Sequence, residues 1–372
     1  MAEAGLLGLY VHIPFCSGRC SYCDFTSSAG REALVPRYLG ALTAEAKLCR
    51  LPRSPETLYI GGGTPSQLRV EQIEELFAGL RQAFPDSRFG EVTFEANPES
   101  VDAEKLGVLR RAGVTRLSLG WQALDDQLLK SMGRRHAVAD CLRAYRLARE
   151  ARFDSVSVDI ICGLPGQTRS KFLSGLGRVL ELAPDHLSLY GLEIHEGTLL
   201  SRQGFVPDED LSRDMLEDAI DCITAAGLAH YEISNFARPG HESKHNLNYW
   251  DGGEYLGLGC AAASHLGGLR TCNTSDLDEY FRLVEAGVWP WAESERIEGK
   301  DKLGERAFLG LRRIAGLELD PELESFFARE WLDLERRGLI VRHGRRVRLT
   351  REGLFLANEA FSKFVSPFEV PI

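Results

Sequence analysis

From residue 9 to residue 190 the chain repeats one rhythm: a short run alternating apolar and polar residues, a loop, then a stretch with helical spacing. The alternating runs are 9–13, 57–61, 91–95, 116–120, 155–161 and 186–190, and each predicts a strand. Over residues 67–84, Ile73, Leu76, Phe77 and Leu80 recur at i, i+3, i+4 and i+7, the spacing of one buried helix face. The next helix reads with Ser100 as its cap, Asp102 and Glu104 in its first turn and Gly113 as its stop. Six strand–helix repeats predict an α/β fold with a parallel sheet and outer helices, as an open sheet or a partial barrel.

The alternation also says which side of each strand is polar. Leu9 and Val11 oppose Tyr10 and His12, and Leu58 and Ile60 oppose Tyr59 and Gly61. Val92 and Phe94 oppose Thr93 and Glu95; Leu117 and Leu119 oppose Ser118, Gly120 and Gln122. Val156, Val158 and Ile160 oppose Ser157 and Asp159, and Leu187 and Leu189 oppose Ser188 and Tyr190. Parallel strands covered on both faces usually read as unbroken Val, Ile and Leu, and a filled barrel packs branched residues inside. Here the apolar faces predict helix contacts, and the polar faces predict a lined cavity. Strand C-terminal ends are where such folds place ligands. Gly61-Gly62-Gly63-Thr64-Pro65, Glu95, Gln122 and Asp159 all sit at those ends.

Composition narrows the class. With 372 residues, 44% hydrophobic and 26% charged, the chain has the make-up of one large or two medium globular domains. A net charge of −10 argues against broad nucleic-acid binding. No apolar run reaches membrane-spanning length, and the nine residues before Tyr10 are too few for a signal peptide. Nine cysteines, an odd number, suit a reducing compartment. The expectation is a cytoplasmic protein, at most peripheral at a membrane, with no nucleic-acid partner.

The chemistry concentrates in Tyr10-Val11-His12-Ile13-Pro14-Phe15-Cys16 and its continuation through Cys20 and Cys23 to Asp24-Phe25. Three cysteines stand as CxxxCxxC directly after a strand. Thiolates suit zinc or iron–sulfur clusters. A closed zinc site would have to borrow His12, whereas closed sites usually draw paired ligands from two segments. An iron–sulfur cube held by three thiolates leaves one iron open.

YVHIPFCSGRCSYCDF resembles the signature of radical S-adenosylmethionine proteins, in the branch that holds oxygen-independent coproporphyrinogen III oxidases and haem chaperones. The resemblance implies a partial (β/α)6-type radical SAM barrel and a 4Fe–4S cluster on Cys16, Cys20 and Cys23. Adenosylmethionine would chelate the open iron, and an electron from the cluster would cleave it to a 5′-deoxyadenosyl radical. It further implies adenosylmethionine contacts at Tyr10, at Gly62, Gly63 and Thr64, at Glu95 of FEANPE, Gln122 of LGWQ, Arg134 of GRRH and Asp159 of DIICGLPGQT. Carboxylates suit ribose hydroxyls, and the planar fork of Arg134 suits a carboxylate.

The resemblance continues beyond the barrel. His245-Asn246-Leu247-Asn248-Tyr249-Trp250 resembles the HNxxYW motif that the haem chaperones use in haem handling. It implies haem binding at His245, Tyr249 and Trp250, with His265 and Cys260 as nearby alternatives for the iron ligand. Residues 301–314 and 321–337 predict helices, residues 339–342 and 346–349 a hairpin turning at Gly344, and residues 350–365 a last helix. This is a winged-helix-like α+β module, comparable to the C-terminal domain of the same family. The expected domains are residues 1–240 for the barrel core, 241–290 for the HNxxYW segment and linker, and 291–372 for the C-terminal module. Arginines 336, 337, 342, 345, 346 and 348 make its wing basic, with acidic residues of 318–335 nearby.

Within the branch, the oxidases carry CxxxCxxCxC, and the place of their extra cysteine is Phe25 here. They also carry a long N-terminal extension, against nine residues before Tyr10. With HNxxYW, these differences favour a haem chaperone that delivers haem to recipient haemoproteins such as respiratory enzymes, and leave radical chemistry undecided. The oxidase is the alternative. A reductant protein and a second copy of the chain are compatible partners.

Overall fold

The computed structural model describes residues 5–365. Six strands follow the alternating runs: β1 (Leu7–Ile13), β2 (Thr57–Gly62), β3 (Glu91–Ala96), β4 (Arg116–Gln122), β5 (Ser155–Cys162) and β6 (His186–Gly191). They lie side by side in that order, each parallel to the next. Right-handed crossovers between sequential parallel neighbours put all connecting helices on one face, leaving the other face free to enclose a space. The helices are α1 (Val35–Leu48), α2 (Val70–Ala83), α3 (Ala103–Ala112), α4 (Val138–Glu150) and α5 (Arg169–Glu181), with α6 (Glu209–Ala225) packed on α5 after the last strand.

The register keeps the two faces apart. Leu58 pairs with Leu9 and Val92, and Leu117 with Phe94 and Val156. These side chains are buried in one continuous core with Leu42, Leu76, Leu106, Ala144 and Leu176 of the helices. Each such side chain contributes about 1.5–3 kcal/mol by leaving water. On the other face Tyr10 pairs with Tyr59, Glu95 with Ser118, and Asp159 with Ser188. The polar interior therefore holds at every strand.

Three features depart from the expected elements. First, the sheet has twelve strands rather than six. β7 (Ala229–Glu232) and β8 (Asn235–Ala237) add antiparallel strands beyond β6. On the other side β9 (Glu254–Leu258) pairs parallel with β1, followed by antiparallel β10 (Ala263–Leu266), β11 (Leu269–Asn273) and β12 (Trp291–Arg296). The segment after HNxxYW thus extends the barrel wall. Second, the cap of α3 is Asp102, which accepts from the Lys105 N–H, whereas Ser100 ends a preceding 3-10 turn and donates to the Asn97 carbonyl. Gly113 does close that helix, at φ +104°. Third, the expected helix over 321–337 is broken at Phe327 and that over 350–365 at Leu356.

Residues from about 299 onward have their own core. It joins α7 (Gly299–Leu311), α8 (Ala328–Arg336) and a three-stranded sheet of β13 (Leu317–Glu318), β14 (Ile340–His343) and β15 (Arg346–Leu349). Trp331 is its pivot: its ring lies 4.3 Å from that of Phe364, and its Nε1 donates to the Leu323 carbonyl at 3.3 Å. Around the rim, Arg351 forks onto Asp221 at 2.7 and 2.9 Å, but in solvent. Trp331→Ala is expected to cost about 3–5 kcal/mol in urea denaturation, whereas Arg351→Ala should barely move the midpoint, as exposed ion pairs contribute little.

Candidate functional site

The loop between β1 and α1 carries the three cysteines, all half-buried and none in a disulfide. It is sewn to its surroundings by backbone hydrogen bonds. Gly63 N–H donates to the Ile13 carbonyl at 2.9 Å and Thr64 N–H to the Phe15 carbonyl at 2.8 Å, so the glycine turn after β2 grips the start of the loop. Thr64 Oγ1 lies 3.3 Å from the Cys16 thiol. A Cβ on Gly63 would stand 2.8 Å from the Phe15 carbonyl and 3.1 Å from that thiol, so only glycine permits the approach. Farther on, Ser21 N–H donates to the Met132 carbonyl, and Leu200 N–H to the Ser21 carbonyl, both at 3.0 Å.

The thiols line a cavity of about 490 Å³, together with Gly62, Gly63, Thr64, Glu95, Gln122, Arg134 and Asp159. Residues spread over 144 positions of sequence thus meet in one space. Burial raises the Cys16 thiol above its ordinary value and pushes that of Cys23 up to about 11. Metal uptake must therefore displace protons. Among the described residues, no three His, Cys, Asp or Glu side chains converge on a single-ion site. His12, the fourth ligand of the zinc alternative, is engaged at both nitrogens: Tyr10 OH lies 2.9 Å from Nδ1 and the Thr26 carbonyl 2.9 Å from Nε2.

Two carboxylates face this cavity from β3 and β5. Glu95 accepts from Tyr59 OH at 2.6 Å and from the Gly62 N–H at 3.2 Å. Burial nevertheless pushes its carboxyl up to about 7, with Asp159 adding repulsion. Burial likewise raises Asp159, against hydrogen bonds from Ser188, Ser118 and Ser157. Opposite them, Arg134 donates through Nη2 to Asn97 Oδ1 at 2.7 Å and to the Gly120 carbonyl at 2.8 Å, and Nη1 lies 3.5 Å from the Cys20 sulfur. Its Nε is buried with no acceptor among the described residues, a donor still unspent.

Gln122 reaches the cavity through a distortion that alternation cannot show. The register slips between Gly120 and Gln122, and Gln122 sits at φ +67°. A bulge of this kind re-aims a side chain. Asn97 and Tyr59, which brace Arg134 and Glu95, were also not singled out as functional from the sequence. The available signal was that Tyr59 lies on the polar face and Asn97 two residues beyond Glu95.

Tyr10 does not line this cavity but the neighbouring one, of about 660 Å³, with Tyr249, Trp250, His265, Arg270 and Phe308. The two cavities share Asp24, Phe25, Gly62 and Glu95. Tyr249 and Trp250 reach it from the helix Lys244–Trp250, capped by Ser243. His245, on the same helix, does not: it is buried against β2, with Nδ1 2.8 Å from Thr57 Oγ1 and Nε2 2.8 Å from Tyr249 OH. Burial lowers its pKa to about 3, so it is neutral. Cys260 is buried, with its thiol 3.2 Å from the Thr274 carbonyl, and lines neither cavity.

The donor set fits a thiolate-held cluster with a small charged guest: three thiols on one loop, two buried acids and a guanidinium with a spare N–H. A buried acid whose pKa is raised above its unfolded value subtracts stability as pH climbs between the two values. For Glu95 that window is about pH 4.5 to 7. Chemical denaturation of the metal-free protein should show Glu95→Gln gaining on the wild type by about 3 kcal/mol across it. Taking the difference cancels the opposite trend of buried histidines.

Comparison with known proteins agrees with this geometry. A model of the Radical SAM superfamily matches residues 10–174. The chain is 36% identical to a heme chaperone HemW of Bacillus subtilis, over 96% of this chain and 98% of that one. It is 40% identical to a heme chaperone HemW of Escherichia coli, over 70% of this chain and 71% of that one. Among solved structures, the coproporphyrinogen III oxidase HemN of Escherichia coli, described as a radical SAM enzyme, superposes with a TM-score of 0.84 at 27% identity, covering 98% of this chain and 91% of that one. The chain belongs to the radical SAM superfamily, within the family formed by its HemW relatives.

Proposed function

We propose that this protein is a HemW-like haem chaperone that holds a 4Fe–4S cluster and S-adenosylmethionine in the smaller cavity and haem in the larger one. The observation that carries the reading is the abutting pair of cavities, one thiol-lined and one aromatic, in a chain similar to HemW proteins along nearly its whole length. No helix among the described residues is long and apolar enough to cross a membrane, so haem passed to membrane haemoproteins would be handed over from a peripheral position.

In this reading Cys16, Cys20 and Cys23 hold the cluster. When bound, such a cluster would supply an electron able to cleave the sulfonium of adenosylmethionine. The chain's own part is to bind and orient. The Gly62–Gly63–Thr64 turn brings backbone to the methionine end, and the unspent Nε of Arg134 meets its carboxylate. Asp159 and Gln122 face the nucleoside from β5 and β4. Glu95, neutral or charged near neutral pH, takes either a hydroxyl or a cation. Tyr10 stands behind Glu95 at the wall between the cavities. Tyr249 and Trp250 offer ring faces to a porphyrin, and His245 holds Tyr249 in place. Recipient haemoproteins, a reductant protein and a second copy of the chain are the partners this role calls for.

The likeness to HemN supports a second reading, oxygen-independent coproporphyrinogen III oxidase. Phe25 counts against it, since it stands where those oxidases have a further cysteine. Reconstituted protein given coproporphyrinogen III and reductant should form no protoporphyrinogen, while binding haem in a Soret titration; turnover to protoporphyrinogen would establish the oxidase instead. Changing any of Cys16, Cys20 or Cys23 to Ser should abolish the broad visible absorbance of the cluster. Asp159→Ala should weaken adenosylmethionine binding roughly tenfold or more, through lost charge-assisted hydrogen bonds, with iron content unchanged.

A further inference from the structure

We propose that the imidazole which ligates haem iron in the aromatic cavity is that of His265, and that His245 is a positioning residue. The inference rests on the haem-binding reading above and assigns the ligand within it.

The cavity of about 660 Å³ is of the size that takes a cofactor-scale ligand. Tyr249, Trp250 and Phe308 supply its aromatic walls, and two imidazoles line it, His12 and His265. Axial ligation needs a ring nitrogen with its lone pair available. His12 spends both nitrogens on Tyr10 and Thr26. His245 spends both on Thr57 and Tyr249 and lies behind the wall. Releasing it would leave the buried Thr57 hydroxyl unpaired. His265 forms no hydrogen bond through its ring among the described residues.

The setting of His265 suits a ligand. It stands on β10 between two antiparallel neighbours, opposite Tyr255 on β9 and Arg270 on β11. The Tyr255 ring lies 6.3 Å away at 67°, an edge contact that limits the tilt of the imidazole. Arg270 reaches the same cavity and is held by Glu305. A guanidinium beside the ligand matches the carboxylate side chains of haem, which pair well with its fork. Strand β10 therefore presents a free imidazole, and its neighbour a guanidinium whose Nη2 is paired with Glu305.

The test is a titration of the full-length, cluster-reconstituted protein with haemin, read by the Soret band and by electron paramagnetic resonance of the ferric complex. His265→Ala should lower affinity by roughly tenfold or more, at least what losing a partner of a metal ligand costs. It should also replace the imidazole-ligated spectrum, and added imidazole should restore it. His265→Met should shift the spectrum toward thioether ligation, a change that a merely structural role would not produce. His245→Ala should weaken binding but keep the wild-type spectrum. Cluster absorbance and the thermal midpoint check that each variant is folded. A wild-type spectrum in both His265 variants would overturn the assignment while leaving haem binding in place. Failure of the wild type itself to bind haemin would overturn the underlying reading and the assignment with it.

Discussion

The site depends on a pair of backbone hydrogen bonds that tie the cysteine loop to the glycine turn, from Gly63 to Ile13 and from Thr64 to Phe15. Loops that follow adjacent parallel strands leave the sheet at the same edge, but nothing in that topology makes them touch. They touch here because Gly63 has no Cβ to hold them apart. The consequence is that the thiols stand directly over the strand ends that carry Glu95 and Asp159. A looser junction would separate the metal-binding chemistry from the acids that face it.

That junction is matched by an unusual interior. Most of the free energy that holds the barrel comes from its outer face, where the strand side chains meet the helices. The inner face holds Tyr59, Glu95, Ser118 and Asp159, and burial raises both acids above their ordinary values. Two buried carboxyl groups that repel each other cost stability unless a counter-charge arrives. Arg134 cannot fully serve, since its Nη2 is already committed to Asn97 and Gly120. The interior is therefore poorly satisfied alone and well suited to a ligand that carries a positive centre and a carboxylate.

The sequence made these strands legible because period-two alternation is a local property, printed in five to seven consecutive residues. The cysteine spacing and the Gly-Gly-Gly-Thr turn are local too. What escaped is set by distant partners. Strand β9 joins β1 across 247 positions, through pairings such as Leu9 with Leu256, and its Tyr-Leu-Gly-Leu-Gly reads locally as a loop. Strand β12 is exposed at all six residues, so it carries no alternation to find. The bulge at Gln122 needs φ +67° at a residue type that gives no warning of it. His245 drew attention as a histidine beside aromatics, yet Thr57, its partner 188 positions away, is what takes it out of the cavity.

The wall between the two cavities is thin, and it is made of residues already under constraint. Gly62 and Glu95 border both spaces, and the Gly62 N–H binds the Glu95 carboxylate. Gly62 sits at φ +110°, and a Cβ there would collide with the His12 ring at 2.6 Å. Tyr59 ties the same carboxylate and stacks toward His245, 5.3 Å away, which in turn holds Tyr249 of the larger cavity. Glu95 is thus the first member of a packed series, through Tyr59 and His245 to Tyr249, that runs from one cavity to the other.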